Sequence, residues 1–500
     1  MIDHTALLPA YCAAGTAVLA FLCDLVAPGR RALVVSVTLL GGLITGVACW
    51  WGSRGGSRAT FCFEPPDVPG ASVLAERVCS YQWDGTATLV GILFATATVV
   101  VLGLSGSALR EVPAGEYCFL LACSMTGGVV LGASGDLITL IIAMETLTLP
   151  LYVLVGLRRR SVASAEAAVT FFVVSVVSTS VTLLGAGLLY GATGTVHIRL
   201  LASALESRSE LRSVPLVSAA VVLVLVGLAF KVAAVPFHAW APSTYDGAPL
   251  PIAAYLSTAS KVGGVIALLI VAVGALEPWL DVAGPALAAL AVLTMTVGNL
   301  AALRQRRMVR LLAWSSVAQA GYILAPLGAF ALASGRSPSA VPVIVTAVLA
   351  YTVFYVVLEL GAFGAVVALR GSADGGTFDD YRGAARRRPW VAAAFVLAMA
   401  GLAGLPPGLA GLFAKVTIVR ALLDAGAGWL AVVVALNAVI GLAYYVRAAA
   451  SLFGPPDPTS AARAVWPRVP VAASVVLAAV TVAALVIGLA PQLVLNAVTL

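Results

Sequence analysis

Apolar runs of about 20 residues succeed one another along almost the whole chain, and at 1.5 Å per helical residue a run of that length spans the ~30 Å hydrocarbon layer of a bilayer. Fourteen are read, centred near Gly15, Leu40, Phe94, Cys123, Ala143, Val176, Val224, Gly264, Leu290, Val317, Phe354, Val396 (continuing past a break to Val416), Ala435 and Val480. The runs are continuous rather than alternating, which predicts helices and not barrel strands. The expected fold class is therefore an all-α membrane bundle of about 14 transmembrane helices. Composition agrees. Charged residues make up 10% of the 500 positions, against the ~25% of a soluble domain. The first run lacks a basic leader and a clear cleavage site, so a retained helix is expected rather than a signal peptide.

Arginine placement orients the bundle. With the N-terminus outside, inward loops hold Arg30, Arg31, Arg110, Arg158, Arg159, Arg160, Arg304, Arg306, Arg307, Arg310, Arg370, Arg382, Arg386, Arg387, Arg388, Arg447, Arg463 and Arg468. Outward segments hold only Arg54, Arg58, Arg77, Arg199, Arg208, Arg212, Arg336 and Arg420. The excess of positive charge on cytoplasmic loops places both termini outside. The arginine clusters are read as topology determinants on solvated loops. The formal charge of +7 consequently implies no nucleic-acid partner; the lipid bilayer is the expected surroundings.

Other chemistries find little footing. Cys12, Cys23, Cys49, Cys118 and Cys123 lie in or beside apolar runs, where cysteine acts as a small hydrophobe. Cys62 and Cys79 share a long outward loop on the oxidising side, which leaves a disulfide between them open. The three histidines, His4, His197 and His238, are too scattered to hold a metal or haem between helices. No glycine-rich turn joins a strand to a helix. The chain is expected to bind no redox cofactor or metal itself.

The lysines carry the functional signal. Of 29 basic residues only three are lysine, and Lys231, Lys261 and Lys415 each sit inside a strongly apolar stretch. A guanidinium stays protonated at any accessible pH, whereas a buried amine can release and recover a proton. Ionisable groups at membrane depth are functional by default. Glu145 joins them in LITLIIAMETLTLPLYVL, nine residues past Asp136 and so roughly 13 Å into the fifth helix. Four unpaired charges at that depth would cost on the order of 10 kcal/mol, so pairing or neutralisation is required. A structural interhelical hydrogen bond is the plainer role for Glu145.

Two of the lysine helices read as broken. Pro236 follows Lys231 in LAFKVAAVPFHAW, and Pro406 and Pro407 precede Lys415 in LAGLPPGLAGLFAK. Proline removes a backbone donor and clashes with the preceding turn, and freed carbonyls inside a membrane persist only where they line a cavity or contact protein. These are the seventh and twelfth helices, five apart, so they cross in opposite senses. That relation suits two inverted five-helix repeats.

The stretch FKVAAVPFHAWAPSTYDGAPLPIAAYLSTASKVGG resembles the signature of the proton-translocating, antiporter-like membrane subunits of bacterial respiratory complex I, the NADH:quinone oxidoreductase, and among them the subunit N type. LRQRRMVRLLAWSSVAQAGYIL, LELGAFGAVVAL, FDDYRGAARRRPW, LAGLPPGLAGLFAK and LNAVIGLAYYVR follow in the same order, covering roughly 115 to 450. The resemblance implies that Glu145 and Lys231 form an acid and lysine pair, that Lys261 is the central lysine and Lys415 the distal one, and that His238 is a proton relay at the broken seventh helix. It also implies that FMN, iron-sulfur clusters and quinone belong to partner subunits, the chain joining other membrane subunits and the peripheral redox arm in the cell membrane. Departures exist. Thr170 and Gln319 stand where relatives often carry lysine and histidine, and Glu359 adds an acid to the eleventh helix, as a relay or as a partner satisfying a neighbour.

The expected organisation is 1–110 for three N-terminal helices with the outward loop, 111–275 for the first repeat, 276–450 for the second, and 451–500 for an inward loop and the last helix. Protons would load from inside and leave outside along Glu145, Lys231, Lys261 and Lys415, each charge movement biasing the next site. Two alternatives stay open. A subunit of a Mrp-type sodium/proton antiporter would share the lysines but would show sodium-dependent proton flux without NADH. A structural, non-pumping membrane subunit would never give an assembled complex with lost pumping when Lys261 is replaced by methionine.

Overall fold

The computed structural model describes residues 2–63, 78–158, 161–455 and 469–499. Arg77, Arg159, Arg160, Arg463 and Arg468, counted above toward the orientation, lie outside the described residues. The chain is a helical bundle that passes repeatedly through the membrane. Among the described residues, eleven helices are long and apolar enough to cross a bilayer.

In chain order the helices are α1 (Leu8–Val26), α2 (Arg31–Ser53), α3 (Gly85–Leu104), α4 (Ala114–Gly132), α5 (Leu137–Val155) and α6 (Val162–Thr193). A short surface helix follows, α7 (Ile198–Ser207). Then come α8 (Pro215–Lys231), α9 (Trp240–Gly247), α10 (Leu250–Ala275), α11 (Leu280–Leu303), α12 (Met308–Leu324) and α13 (Ala340–Arg370). The last group is α14 (Pro389–Ala403), α15 (Leu409–Asp424), α16 (Gly428–Ser451), α17 (Val471–Leu489) and α18 (Gln492–Val498). Ordinary capping starts several of them. Asp84 accepts from Ala87 N to begin α3, and Asp136 accepts from both the amide and hydroxyl of Thr139 to begin α5, each satisfying donors that have no partner inside the helix.

Between α2 and α3 an antiparallel hairpin pairs β1 (Arg58–Phe63) with β2 (Val78–Trp83), and its register sets Cys62 directly opposite Cys79. The two form a disulfide. The remaining five cysteines are free thiols in or next to the helices.

Both expected breaks are present. Helix α8 stops at Lys231 and the chain resumes as α9 at Trp240; α14 stops at Ala403 and α15 begins at Leu409. The freed backbone groups find partners. Trp240 Nε1 donates to Phe230 O at 3.3 Å, and Val235 N donates to Thr294 Oγ1 at 2.9 Å, as a medium without water requires. At the second break Gly404 takes φ +84, a left-handed conformation that glycine adopts without strain. A Cβ on Gly411 would overlap the Gly401 carbonyl, so the two halves touch backbone to backbone.

Helix α10 lies at the centre, against α3, α4, α5, α8, α12 and α13, and is buried along nearly its whole length. Two π-helical turns interrupt it, Leu256–Ser260 and Ile270–Ala275. The first delivers Lys261 directly. By contrast α1, α2, α6 and α17 each turn a wide apolar face outward, with Leu25, Leu40, Val177 and Val475 all more than half exposed. Such faces are stable against lipid chains, which are as apolar as they are.

Candidate functional site

The three lysines and two acids come to rest in three polar clusters strung across the bundle interior. In the first, Lys231 at the end of α8 reaches Glu145 on α5, Nζ to Oε1 2.7 Å. The side chains are 5% and 21% exposed, so the lysine is enclosed while the acid keeps a partly open flank. Lys231 also donates to Ser175 Oγ on α6 at 2.9 Å. Thr179 donates to the same Glu145 oxygen at 2.6 Å, and Tyr152 donates to Ser175 Oγ at 2.5 Å. A buried charge needs this full complement, because removing one partner of such a pair costs about 3–5 kcal/mol.

In the second cluster, Lys261 is 1% exposed and donates to the backbone oxygen of Ser316 on α12. Glu359 on α13 is fully buried and interacts electrostatically with Lys261. Neither of its carboxyl oxygens has a hydrogen-bond partner. Tyr355 closes the site from one side, donating to Ser257 O at 2.7 Å and Ser316 Oγ at 3.0 Å. Clusters one and two are locked together by a close approach: a Cβ on Gly264 would press on the Lys231 carbonyl carbon and the Val232 nitrogen. Only glycine lets the central lysine helix sit directly on the break of its neighbour.

In the third cluster Lys415 turns back on its own break, donating to Leu402 O at 3.1 Å and to Ala403 O at 2.5 Å, with its Nζ 5.4 Å from the Tyr322 ring centre. The two broken helices therefore use their lysines differently. Lys231 ends the first half of its helix and pairs with an acid, whereas Lys415 belongs to the second half and caps the carbonyls of the first. No acid pairs with Lys415 among the described residues.

Gln319 lies three residues beyond Ser316 on α12 and reaches the third cluster. Its amide donates to Leu402 O at 3.1 Å and Tyr445 OH at 2.9 Å, and it accepts from Tyr351 at 2.6 Å. The departure from histidine has left a hydrogen-bonding group in place. Thr170 is different: it is half-buried on α6, outside the three clusters. His238 lies in the break between α8 and α9, with Nδ1 3.3 Å from Pro236 O and its ring 5.1 Å from that of Trp314, and it makes no contact with the lysines or acids.

The matching family model describes the transmembrane part of NADH:quinone oxidoreductase and Mrp antiporter subunits and covers residues 134–441. "NADH-quinone oxidoreductase subunit N" of Salinispora tropica is 61% identical over 99% of this chain and 98% of its own length. The chain belongs to the subunit N family. "NADH-quinone oxidoreductase subunit N 2" of Streptomyces griseus, another member, is 44% identical over 91% of this chain and 84% of its own. A chain of the respiratory complex I of Thermus thermophilus with bound aureothin superimposes with a TM-score of 0.78 at 28% identity, covering 98% of both chains. A chain of the Mrp complex from Dietzia sp. DQ12-45-1b gives a TM-score of 0.82 at 23% identity, over 100% of this chain and 97% of its own, and shares the antiporter-like fold. The region matched by the family model contains Glu145, Lys231, His238, Lys261, Glu359 and Lys415.

One part of this subunit N interior was not foreseen. Asn299 on α11 donates to Tyr322 OH at 3.0 Å and to Asn437 Oδ1 at 3.2 Å, and accepts from Tyr444 at 3.0 Å. Asn437 donates in turn to Thr296 Oγ1 at 3.2 Å. The signal was available. Each asparagine stands inside an apolar run, and a buried amide demands partners as surely as a charge does.

Proposed function

We propose that the chain is a proton-translocating membrane subunit of NADH:quinone oxidoreductase, moving protons outward through Glu145, Lys231, Lys261, Glu359 and Lys415 as electrons pass from NADH to quinone elsewhere in the complex. Membership of the subunit N family supports the enzyme and its partners, the other membrane subunits and the redox arm. FMN, iron-sulfur clusters and quinone sit in those partners in this reading. The observation that carries the path is the set of buried charged sites: an ion pair at Lys231, a lysine and acid at Lys261 and Glu359, and Lys415, which shares the Leu402 oxygen with Gln319.

Each step is a proton moving between a buried amine and the next acceptor. When the Lys231 and Glu145 pair separates, the ammonium loses its counter-charge and its proton passes toward Lys261. The change of charge there biases Lys415 in the same way, since interacting sites titrate as a unit. Protons load on the arginine-rich side and leave on the other. In this arrangement fourteen passes place both termini outside the plasma membrane, and 111–275 and 276–450 act as the two inverted repeats. His238 serves as a relay only if the broken segment moves, because at rest it touches none of the charged groups.

Purified complex carrying Lys261→Arg tests this. In closed vesicles NADH oxidation through the redox arm should survive with artificial acceptors while NADH-driven proton transport drops at least tenfold. An intact assembly with Lys261→Arg and a normal proton-to-electron ratio would overturn the reading, because a guanidinium does not exchange its proton.

A further inference from the structure

The arginine-rich face carries a cavity of about 720 Å³ that the proton path does not use. It opens where α11 and α16 end, roofed by the chain between α13 and α14, and Arg306, Arg382 and Arg447 line it with a single acid, Asp379. Arg447 is held rigidly. It donates to Leu303 O at 2.7 Å, Gln305 O at 2.9 Å and Ala302 O at 3.3 Å, and its guanidinium lies 5.1 Å from the Phe378 ring centre. Arg382 pairs with Asp379 at 2.9 Å, both substantially exposed. Arg306 is exposed, and no side chain among the described residues pairs with it. Three guanidinium groups against one carboxylate leave a formal excess of two positive charges.

The depth of the cavity identifies what meets it. Trp390, at the start of α14 on the same face, is 86% exposed, and Phe453, just past the end of α16 beside the cavity, is 62% exposed. Exposed aromatic rings at helix ends sit at the level of lipid headgroups. From the cavity mouth an exposed apolar stripe descends α16 through Val446, Val439 and Leu436. A basic pocket at headgroup depth that continues into an apolar stripe matches an amphiphile, not a free anion.

We propose that this cavity seats the phosphate headgroup of an anionic phospholipid, with Arg306 and Arg382 contacting phosphate oxygens and the acyl chains lying along the α16 stripe. Arg447 builds the floor. The inference needs neither the direction of pumping nor the assignment of the lysines.

The test uses the whole purified complex. Wild type, Arg306→Ser/Arg382→Ser and Arg306→Lys/Arg382→Lys are stripped stepwise with neutral detergent, and retained phospholipids are counted by mass spectrometry. Roughly fivefold weaker retention is expected for each arginine lost, so about twenty-five-fold for the double serine variant, with the double lysine variant close to wild type. A photoactivatable phosphatidylglycerol should crosslink within 436–454 in vesicles, and phosphatidylcholine should not. Three results would overturn the proposal: equal retention by wild type and the serine variant, displacement of the lipid by inorganic phosphate at modest concentration, or crosslinking of this face to an acidic segment of a neighbouring subunit instead of lipid.

Discussion

Lys415 and Gln319 donate to one and the same acceptor, the backbone oxygen of Leu402 at the broken end of α14, each at 3.1 Å. A carbonyl freed by the break thus joins the distal lysine to the residue that leads back toward Lys261. The contact explains why proline at 406 and 407 matters: an unbroken helix would keep that oxygen for itself.

Gln319→Leu should sever this link. Tyr445 keeps Ser315 as a partner and Leu402 O keeps Lys415, so the main stranded group is Tyr351, at a cost of about 1–3 kcal/mol. The complex should assemble with slightly lowered thermal stability, and NADH-driven dye quenching in inverted vesicles should fall several-fold relative to NADH oxidation. Gln319→His should hold both properties near wild type. Unchanged pumping in the leucine variant would show that the shared carbonyl carries no traffic.

Lys261 and Glu359 should behave as one unit. Glu359→Gln strands no hydrogen-bond partner, because the carboxyl oxygens have none among the described residues, yet it removes the ionisable group that faces Lys261. Lys261→Met and Glu359→Gln should each abolish most proton transport, and the double variant should be no worse than either. Their thermal shifts should deviate from additivity by about 0.5–3 kcal/mol, as groups in one network do. Strict additivity would mean that the two do not communicate.

For the first cluster, Glu145→Gln leaves Lys231 with neutral acceptors alone, the new amide oxygen and the hydroxyls of Ser175 and Thr148. Transport should be nearly lost. Thr179→Val removes a single hydrogen bond to the acid, worth about 0.5–1.5 kcal/mol, or 1.5–3 to a charged group, and should reduce transport by no more than about tenfold. Comparing the two rates in the same vesicles ranks charge against positioning; equal losses would assign the role to the hydroxyl.

Charges and prolines made much of this interior legible in advance. Lys231, Glu145, Lys261 and Lys415 were conspicuous because an ionisable group in an apolar run has no innocent explanation, and Pro236, Pro406 and Pro407 marked both breaks. The π-helical turn before Lys261 left no such mark. It differs from an α-turn by one residue of hydrogen-bond register, a difference that no residue type in Leu256–Ser260 announces. The carbonyl grip of Lys415 was hidden for the same reason, since a backbone acceptor carries no residue type. Asn299 and Asn437 are legible as polar residues inside apolar runs, but neutral amides are less conspicuous there than charges.

The Cys62–Cys79 disulfide clamps two paired strands that contribute no side chain to the lysine clusters. For a closed loop of that size it contributes about 3 kcal/mol against unfolding of the hairpin. Cys62→Ser/Cys79→Ser should leave proton transport unchanged and make the hairpin more sensitive to protease, while non-reducing peptide mapping of wild type should find the crosslinked pair. A large loss of pumping would assign the hairpin a part in coupling.

Acid should loosen the same region through His197. Its ring lies tilted against that of Phe63 of β1, 4.7 Å between centres, its backbone bridges to Asp136 at the start of α5, and Nδ1 is buried with no hydrogen-bond partner among the described residues. Burial pushes the imidazole below its usual 6.5, with Asp136 opposing that shift. A folded-state value below the unfolded one means that the unfolded chain binds the proton more readily. The stabilising contribution is therefore complete above about pH 6.5 and is lost as pH falls through the lower, folded-state value. Thermal inactivation of the complex should accelerate between pH 7.5 and 5.5 in wild type, and the difference between the two pH values should shrink in His197→Gln, whose lost ring contact costs the same at both. An equal pH response in the two proteins would mean that another group senses the acid.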